Sequence, residues 1–394
     1  MKKIGILTFH GADNFGCVLQ CMALQNAVKI LYPDTQVEVI NYVEPNLLEN
    51  RLLISKEQYR MVKKKFGNKT AILRVLENLK TLSGRKMRMK KFQAFRNREL
   101  NLSGDAFSEE DRLSSLHYDI CIVGSDQVWN WYLVRNKEKI FFLEGVDADT
   151  RKISYAASIG HNRFKEPERE WFREHIAGMD AISIREKSTL SAIQEIAGRN
   201  VSVCLDPTML HDAAYWRTFE RKPKGMGSKK YVFMYGLGHP YCKEQEAEAC
   251  RLARDIAKKE GLEVIHSYYG AYRKRFDKSA KHCYYQGPYE FLWLVDHAEY
   301  VINCSYHGTV FSVIFEKPFY TYSTGSNSAR MVDLVETLGI ADRYLDHIID
   351  AEQFSWDIDW KSVNDNLSRA RQKSLDYLKE AIAEEYFVRR KDNG

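Results

Sequence analysis

Residues 300–320 read YVINCSYHGTVFSVIFEKPFY, and this stretch predicts a strand, a turn and a helix. Its first residues are largely apolar and include two β-branched side chains, which favours a buried strand. From Thr309 to Phe315 the apolar spacing is that of a helix covered on most sides. In open α/β sheets ligands bind at such strand ends, and the free amides of a helix amino terminus attract anions. His307 is therefore predicted to be a titratable group beside an anion site.

A histidine that only caps its own helix is the alternative interpretation of His307. The strand-turn-helix setting makes the functional interpretation the stronger one. Ser305 and Gly308 lie in the same turn, and we expect them to contact the same ligand.

The chain has 394 residues, more than one hydrophobic core usually fills, so two domains are expected. Hydrophobic residues make up 44% and charged residues 28%, the balance of a soluble globular protein. The opening MKKIGILTFHGADN has too short an apolar part for a signal peptide, and no apolar run is long enough to span a membrane. The eight cysteines form no CxxC pair, which predicts reduced thiols in a cytoplasmic enzyme without a zinc site.

The net charge of +6 is unevenly distributed. Residues 51–98 contain sixteen Lys or Arg and two acidic residues, so the rest of the chain is net negative. The segment is predicted to be helical with breaks near Gly67 and Gly84, and apolar residues interleave with the basic ones. Such a helix can lie on an anionic membrane or bind nucleic acid, although no nucleic-acid-binding module surrounds it. A solvated helix whose apolar face packs on its own domain is the commoner outcome.

A strand over Lys3–Phe9, a helix over Cys17–Tyr32 and a strand over Gln36–Tyr42 predict a βαβ unit, as in nucleotide-binding folds. The loop HGADNFG between the first two lacks the GxGxxG fingerprint. Gly16 permits a tight turn, and Asn14 can offer its amide to a ligand at the helix start. A plain glycine turn with a locally bonded Asn14 is an equally good interpretation.

The buried strand at residues 119–125 runs directly into Asp126, Gln127 and Trp129. A carboxylate and an amide can bond sugar hydroxyls while an aromatic face covers the sugar ring. We therefore expect an acceptor-type site here. The alternative is a turn capped by Asp126, with Trp129 held in the core.

Two arginines lie near predicted strand or helix ends. Arg185 follows a short strand at residues 181–184, where its planar fork suits a carboxylate or phosphate; an ion pair with Glu186 is the alternative. Arg330 lies near a helix start after the turn at Gly325 and Ser326, where it completes an anion pocket or is surface charge.

The polar stretch at residues 222–228 is the best candidate domain boundary. We expect an N-terminal Rossmann-like domain over residues 1–220, with a basic helical insert at about 47–100. A C-terminal Rossmann-like domain then covers 229–345, and a helical segment at 346–394 packs back across both. The fold class is thus α/β, two domains facing a cleft, with donor and acceptor bound on opposite sides.

Seven segments in a common order extend over nearly the whole chain. They are GADNFGCVLQCMALQNAV, IVGSDQVWN, YAASIG, SIREKS, CLDPT, GPYEFLWLVDHAEYVINCSYHGTVFSVIFEKPF and NSARMVDLVETLGIADR. Together they resemble the polysaccharide pyruvyl transferases. The resemblance implies a glycosyltransferase-B-like enzyme of cell-surface polysaccharide biosynthesis. It would move the enolpyruvyl group of phosphoenolpyruvate onto two sugar hydroxyls as a ketal, releasing phosphate, with no metal and no cofactor beyond this co-substrate.

The resemblance also assigns roles. His307 matches the family's general acid, and Arg185 matches the arginine that binds the donor. Many members have an arginine two residues before the histidine, where this chain has Ser305. Either Arg330 or Lys317 compensates for that charge, or the donor geometry differs.

Two other functions remain open from the sequence. One is a glycosyltransferase that uses a nucleotide-sugar donor, because fold does not fix function. The other is a non-catalytic protein that binds membranes or nucleic acid through residues 51–98. For the enzyme, the expected partners are phosphoenolpyruvate, a lipid-linked or nucleotide-linked sugar acceptor and the inner face of a membrane, without nucleic acid.

Overall fold

The structure is a computed structural model that describes residues 1–44, 56–134, 139–236, 243–268, 280–283, 285–323, 329–347 and 353–383. Between residues 56 and 81 it describes the backbone and only some of the side chains. No helix in these ranges is both long and apolar enough to cross a membrane.

The N-terminal half is built around a four-stranded parallel sheet in the order β2-β1-β3-β4. A second parallel pair, β5 and β6, continues beside β4 through isolated bridges. The elements are β1 (Lys3–Leu7), α1 (Phe15–Leu31), β2 (Gln36–Val39), α2 (Lys56–Glu99), β3 (Ile120–Val123), β4 (Arg151–Ser154), α3 (Glu166–Ile176), β5 (Ser183–Ile184), α4 (Leu190–Ala197), β6 (Ser202–Val203) and α5 (Ala213–Arg217).

The C-terminal half holds a six-stranded parallel sheet in the order β12-β11-β10-β7-β8-β9. Its central strands are buried on both faces, which is why they read as continuous apolar runs. The elements are β7 (Tyr231–Gly236), α6 (Lys243–Glu260), β8 (Glu263–Tyr268), β9 (Lys281–His282), α7 (Pro288–Asp296), β10 (Tyr300–Asn303), α8 (Tyr306–Ile314), β11 (Phe319–Tyr322), α9 (Ala329–Leu338), β12 (Tyr344–Leu345) and α10 (Trp360–Ile382).

An aromatic cluster joins the two halves around the start of α1. Phe15 is fully buried and stacks on Phe291 of α7, with ring centroids 4.4 Å apart. On its other side lies Phe92 of α2, at 5.4 Å. Because such buried rings contribute much of a core's apolar area, this contact fixes the first turn of α1 against the C-terminal half.

The C-terminal helix α10 packs back across both halves, as predicted. Its first turns bury Val363 and Leu367 in the same core as α8 and α9. Further along, Ser374 Oγ accepts a 2.9 Å bond from the Leu205 amide, and the Tyr377 hydroxyl donates to the Ser154 carbonyl at 2.7 Å. The helix therefore fastens the strand ends that carry the site described below.

The basic insert is partly a structural element. The break predicted near Gly67 is present, since that residue has non-helical angles, but the helix continues through Gly84. Phe92 and Phe95 are fully buried. The guanidinium of Arg96 is buried as well, and it forms a 3.0 Å ion pair with Asp13 in the loop before α1. The end of the insert therefore packs on the loop before α1 and also on α7 of the C-terminal half, where the ring centroids of Phe95 and Tyr289 are 5.1 Å apart. Residues 45–55 lie outside the described part.

Candidate active site

His307 lies in the first turn of α8, and the residues around it build that turn. Ser305 is the N-cap, with its hydroxyl 3.4 Å from the Gly308 amide. The Ser305 amide donates to Asn303 Oδ1 at 2.9 Å. A Cβ on Gly308 would come 2.8 Å from the same oxygen. In this structure Ser305 and Gly308 thus shape the turn that carries His307.

The start of α1 meets His307 from the opposite half. Asn14 caps this helix, and its Oδ1 accepts a 2.8 Å bond from the Gly16 amide. A Cβ on Gly16 would lie 2.0 Å from His307 Nδ1, closer than any side chain can approach. Gly16 is therefore required for close contact with the imidazole, while Asn14 is engaged in local capping.

A buried carboxylate, Asp206, connects the two predicted catalytic residues. Its Oδ2 accepts a 2.8 Å bond from Arg185 Nη1 and lies 3.4 Å from His307 Nε2. Its Oδ1 accepts bonds from the Thr208 hydroxyl at 2.7 Å and the Thr208 amide at 3.1 Å. Arg185 and His307, which belong to different halves, therefore lie in one compartment.

Asp206 stays ionised despite its burial. Burial alone raises the pKa of this carboxyl, but the charges of His307 and Arg185 and the bond from Thr208 hold it well below the usual range. His307 Nε2, 3.4 Å from this carboxylate, makes no hydrogen bond within the described part of the chain.

Arg185 has one edge without hydrogen bonds. Its side chain is 2% exposed and lies over the Tyr306 ring, with Cζ 4.2 Å from the centroid. Burial lowers the pKa of the Arg185 guanidinium, but Tyr306 and Asp206 outweigh it, so the pKa lies above its ordinary value. Nη1 bonds Asp206, whereas Nε and Nη2 have no hydrogen-bond partner in the described residues. The ion pair with Glu186, the alternative interpretation of Arg185, is also present, with Nε 3.7 Å from Glu186 Oε1. Nε and Nη2 form the side-on edge that binds a carboxylate or phosphate bidentately.

Arg330 lies on the same aromatic ring. Its Cζ is 5.7 Å from the Tyr306 centroid, and its Nε is buried without a hydrogen-bond partner among the described residues. Burial lowers the pKa of Arg330, and the positive charge of Arg185 lowers it further. Two guanidiniums that repel each other and keep unbonded N–H groups form an arrangement that an anion would stabilise.

Asp126 and Gln127 lie beside this arrangement. Asp126 is buried, and its Oδ2 accepts a 3.0 Å bond from the Cys17 thiol. Burial, with the charge of Asp126, raises the pKa of Cys17 well above its ordinary value, so the thiol remains a neutral donor. Gln127 is half-buried, and its Oε1 accepts a 2.8 Å bond from Asn130.

The predicted contact between Trp129 and a ligand is wrong. Trp129 is fully buried and stacks on Phe142, with centroids 5.2 Å apart. Its Nε1 donates to the Phe141 carbonyl at 2.8 Å. The indole is a core residue because the strand end turns it inward, and no face is left for a sugar.

Lys317 is not brought to the site. It follows the carboxyl end of α8, whereas His307 lies in the first turn, so the helical rise from His307 to Ile314, about 10 Å, separates the two positions. Its charge acts instead on the pKa of Glu220 and Asp296. The suggested compensation by Lys317 is therefore excluded on geometric grounds, and Arg330 remains.

One group of side chains has metal-ligand geometry among the described residues. Ligand atoms of Glu220, Asp296 and His297 lie within 4.8 Å of one another. Arg217, however, already bonds both oxygens of Asp296, at 2.8 and 2.9 Å. A divalent cation would have to displace this guanidinium, and the group lies near Lys317, away from His307.

Sequence reasoning missed the residue that joins the site. Asp206 is in the sequence only the acidic residue of the segment CLDPT, and Asp-Pro-Thr is an ordinary turn sequence. The available signal was its position, since a carboxylate at the carboxyl end of a parallel strand lies on the edge where ligands bind. Tyr306, which both arginines contact, was also missed.

The match to known families agrees with this geometry. Residues 14–326 match the family model described as polysaccharide pyruvyl transferase, which is most of the chain. The chain belongs to the polysaccharide pyruvyl transferase family. It is therefore a transferase, as the resemblance predicted. A comparison with curated proteins finds no match.

Several solved structures resemble this pyruvyl transferase in fold. One, from Listeria monocytogenes, is described as a candidate UDP-N-acetylglucosamine 2-epimerase; at 10% identity and a TM-score of 0.50, it covers 95% of this chain and 90% of its own. The S. aureus MnaA–UDP co-structure has the same identity and TM-score, with 95% and 91% covered. Arabidopsis thaliana UGT89C1 complexed with UDP-L-rhamnose is 12% identical, with 97% and 99% covered and a TM-score of 0.49. These likenesses concern the fold alone and confirm two Rossmann-like domains of the glycosyltransferase-B type.

We expect Asp206→Asn to lower the free energy of unfolding by about 3 kcal/mol at pH 6, because Arg185 would stay buried without the counter-charge that it hydrogen-bonds, keeping only Glu186 at 3.7 Å. A depressed pKa contributes stability that is present above the carboxyl's unfolded value, about 3.9, and is lost as pH falls through the lower folded value. The gap between wild type and variant should therefore shrink below about pH 4. Urea unfolding from pH 3 to 7 measures it, with the exposed Asp105→Asn as control. If the difference in free energy of unfolding between the wild type and Asp206→Asn does not change with pH, Asp206 does not have a lowered pKa.

Proposed function

We propose that this pyruvyl transferase uses phosphoenolpyruvate as its donor and forms a pyruvate ketal on two hydroxyls of one sugar. The observation that carries the proposal is the pair of buried guanidiniums, Arg185 and Arg330, against Tyr306 with unbonded N–H groups. Phosphoenolpyruvate carries a carboxylate and a phosphate on the same carbon atom. Two cations, one of them with a bidentate edge, match this pair of anionic groups.

Arg330 accounts for the substitution at Ser305. Many family members place an arginine at that position, whereas here the serine caps α8. Arg330 enters from α9 and reaches the same Tyr306 ring as Arg185. The positive charge is thus supplied from a different element, and a second cation is present for the donor.

The residues divide the chemistry between them. His307 would give its Nε2 proton to the methylene carbon of the donor, which makes the adjacent carbon electrophilic. The first sugar hydroxyl attacks that carbon, phosphate leaves, and the second hydroxyl closes the ketal ring. The guanidiniums would stabilise the charge on the departing phosphate. Of the two hydroxyl protons released, one replaces the proton that His307 gave to the donor, and the other leaves on the phosphate, which departs as hydrogen phosphate.

The acceptor would lie on the side of Asp126 and Gln127. Asp126 presents a carboxylate close enough to lower the repulsion between Arg185 and Arg330, as its influence on both pKa values indicates. A hydroxyl that bonds this carboxylate would lie next to the donor carbon. The rival donor, a nucleotide sugar, would need a base-binding and ribose-binding surface in addition to the anion site.

We expect His307→Gln to lower kcat for ketal formation by roughly 10²–10⁴-fold, the usual contribution of general acid catalysis. The variant should retain the rise in melting temperature that phosphoenolpyruvate produces in the wild type, because the guanidiniums remain. Phosphate release and the mass gain of a sugar acceptor measure turnover. Unchanged turnover would remove His307 from the mechanism.

We expect Arg330→Gln to weaken phosphoenolpyruvate binding about tenfold or more while the free energy of unfolding stays unchanged or rises. The reason is that the variant loses a ligand contact and also a buried charge that Arg185 repels. Melting temperatures with and without phosphoenolpyruvate measure both effects.

Arg343→Gln is the matched control for this change. Arg343 also lies over a tyrosine, Tyr320, at 5.0 Å, but it bonds the Tyr320 hydroxyl at 3.1 Å and the Asp357 carbonyl at 2.7 Å. The Arg343→Gln variant should have a lower free energy of unfolding but the same rise in melting temperature with phosphoenolpyruvate as the wild type. If Arg330→Gln behaves like Arg343→Gln, Arg330 is structural. If UDP stabilises the wild type and phosphoenolpyruvate does not, the nucleotide-sugar rival replaces the proposal.

We place the enzyme at the cytoplasmic face of a membrane, where a lipid-linked acceptor for cell-surface or exported polysaccharide would be presented. Several basic side chains of α2 are exposed, among them Lys63, Lys64 and Lys69. Ile72, on the same part of the helix, is 47% exposed. Exposed basic residues next to an exposed apolar one suit an anionic lipid surface.

We expect the triple variant Lys63→Gln, Lys64→Gln and Lys69→Gln to weaken binding to vesicles of anionic phospholipid on the order of a hundredfold. Each basic residue near such a surface contributes about 1 kcal/mol. Vesicle co-sedimentation at fixed salt measures it. A control with the same charge change replaces the exposed Lys222, Lys224 and Lys229. Equal loss in both variants would make the attraction a matter of net charge, not of α2.

A further inference from the structure

A second polar cluster lies beyond Gln127 in the N-terminal half. His161 follows Gly160 after β4, and Glu168 and Trp171 lie on α3, three residues apart and hence on one face. His161 Nε2 is 2.9 Å from Glu168 Oε1. Tyr132 closes the cluster on the outside, with its ring centroid 5.1 Å from that of His161 and 59% of its surface exposed.

Part of the hydrogen-bonding capacity of this cluster is unused. Besides the contact between His161 Nε2 and Glu168 Oε1, three buried polar atoms have no hydrogen bond in the described part of the chain: Glu168 Oε2, His161 Nδ1 and the indole nitrogen of Trp171. Glu168 is 1% exposed and Trp171 6%. Buried polar atoms are nearly always hydrogen-bonded, so three such atoms in one place indicate that something else bonds them.

The chemistry of the cluster selects an uncharged, hydroxyl-rich ligand. Two carboxylate oxygens accept, the indole N–H donates, and the imidazole of His161 can do either. The exposed Tyr132 ring offers an apolar face of the kind that covers the C–H face of a sugar ring. The carboxylate of Glu168 would repel the anionic donor. A sugar unit meets all of these conditions.

The cluster is linked to the donor site through a short piece of backbone. Glu186, the residue after Arg185, accepts a bond from the Ile159 amide at 3.0 Å and another from the Ser158 hydroxyl. His161 comes three residues after Ser158, at most about 11 Å of extended chain. Between them is Gly160, with φ +79°, where a Cβ would come 2.5 Å from Gln127 Oε1. A side chain here would clash with Gln127 and Asn130, so Gly160 allows the backbone before His161 to lie against these two side chains.

We propose that this cluster is a subsite for an uncharged sugar unit of the acceptor, next to the unit that receives the pyruvyl group. Its residues are Gln127, Tyr132, His161, Glu168 and Trp171. The inference rests on the proposed function, which places the reacting sugar beside Asp126. It extends that proposal by requiring an acceptor of two or more units and by assigning its recognition to residues that do not touch the donor.

Binding of neutral disaccharides tests the subsite without phosphoenolpyruvate. The probes are gluco-, galacto- and manno-configured disaccharides and the matching methyl monosaccharides, titrated calorimetrically into the full chain. At least one disaccharide should bind about tenfold more tightly than its monosaccharide. Glu168→Gln and Tyr132→Ala should each remove this advantage. Leu133→Ala, at a neighbouring side chain that is 50% exposed, should keep it.

The outcomes separate the subsite from the proposed reaction. Loss of the advantage in Tyr132→Ala, an exposed position that folding tolerates, supports the subsite even if Glu168→Gln fails to fold. No disaccharide advantage in the wild type, or equal loss in Leu133→Ala, would overturn the subsite and leave the polar atoms to internal water. If the enzyme forms a ketal on a monosaccharide, and Glu168→Gln and Tyr132→Ala do so equally well, only the subsite is disproved. If a disaccharide binds but no ketal forms, only the proposed reaction is disproved.

Discussion

The structure depends on one buried carboxylate, Asp206, which Arg185 and His307 both contact. Asp206 belongs to the N-terminal half, where the end of β6 and the helix α10 hold it, and it bonds Arg185 of the same half. His307 approaches the same oxygen from the C-terminal half. Removing a carboxylate from water is costly, and the cost is recovered only when its partners are correctly placed. The arrangement of the two halves is thereby tied to the position of the His307 ring.

Neighbouring residues at the start of α1 serve packing and the site at once. Phe15 fills the aromatic core between the halves, and Gly16 allows the His307 ring to lie against the backbone. The next residue, Cys17, donates to Asp126. One helical turn thus sets the distance between the halves, the place of the imidazole and the orientation of the Asp126 carboxylate. A shift of this turn would disturb all three together, since interiors are packed too tightly to absorb it locally.

Sequence reasoning predicted the elements that follow from a regular spacing of apolar residues. It failed where the same residue pattern is compatible with two different structures. The alternation of apolar strands and helices gave the α/β class, and the run from Tyr300 to Phe315 gave the turn that holds His307. Trp129 could not be assigned, because an aromatic residue after a strand suits a core and a ligand equally well. The prediction for Lys317 was wrong because this residue is close to His307 in sequence, whereas α8 separates the two residues in space. Asp206 was missed because its turn sequence is ordinary, and its partners are distant in the chain.

The substitution of Ser305 for an arginine shows what such a site has to conserve. Ser305 stabilises the amino terminus of α8, which a longer cationic side chain at the same position would do less well. Arg330 places its guanidinium over Tyr306 from another helix, close enough to Arg185 for their charges to repel. Asp206, Glu186 and Asp126 offset these charges in part, yet burial and the charge of Arg185 still lower the pKa of Arg330. Under the proposed function a ligand with two anionic groups would complete the arrangement, so the constraint would act on where the charge lies and not on which residue number supplies it.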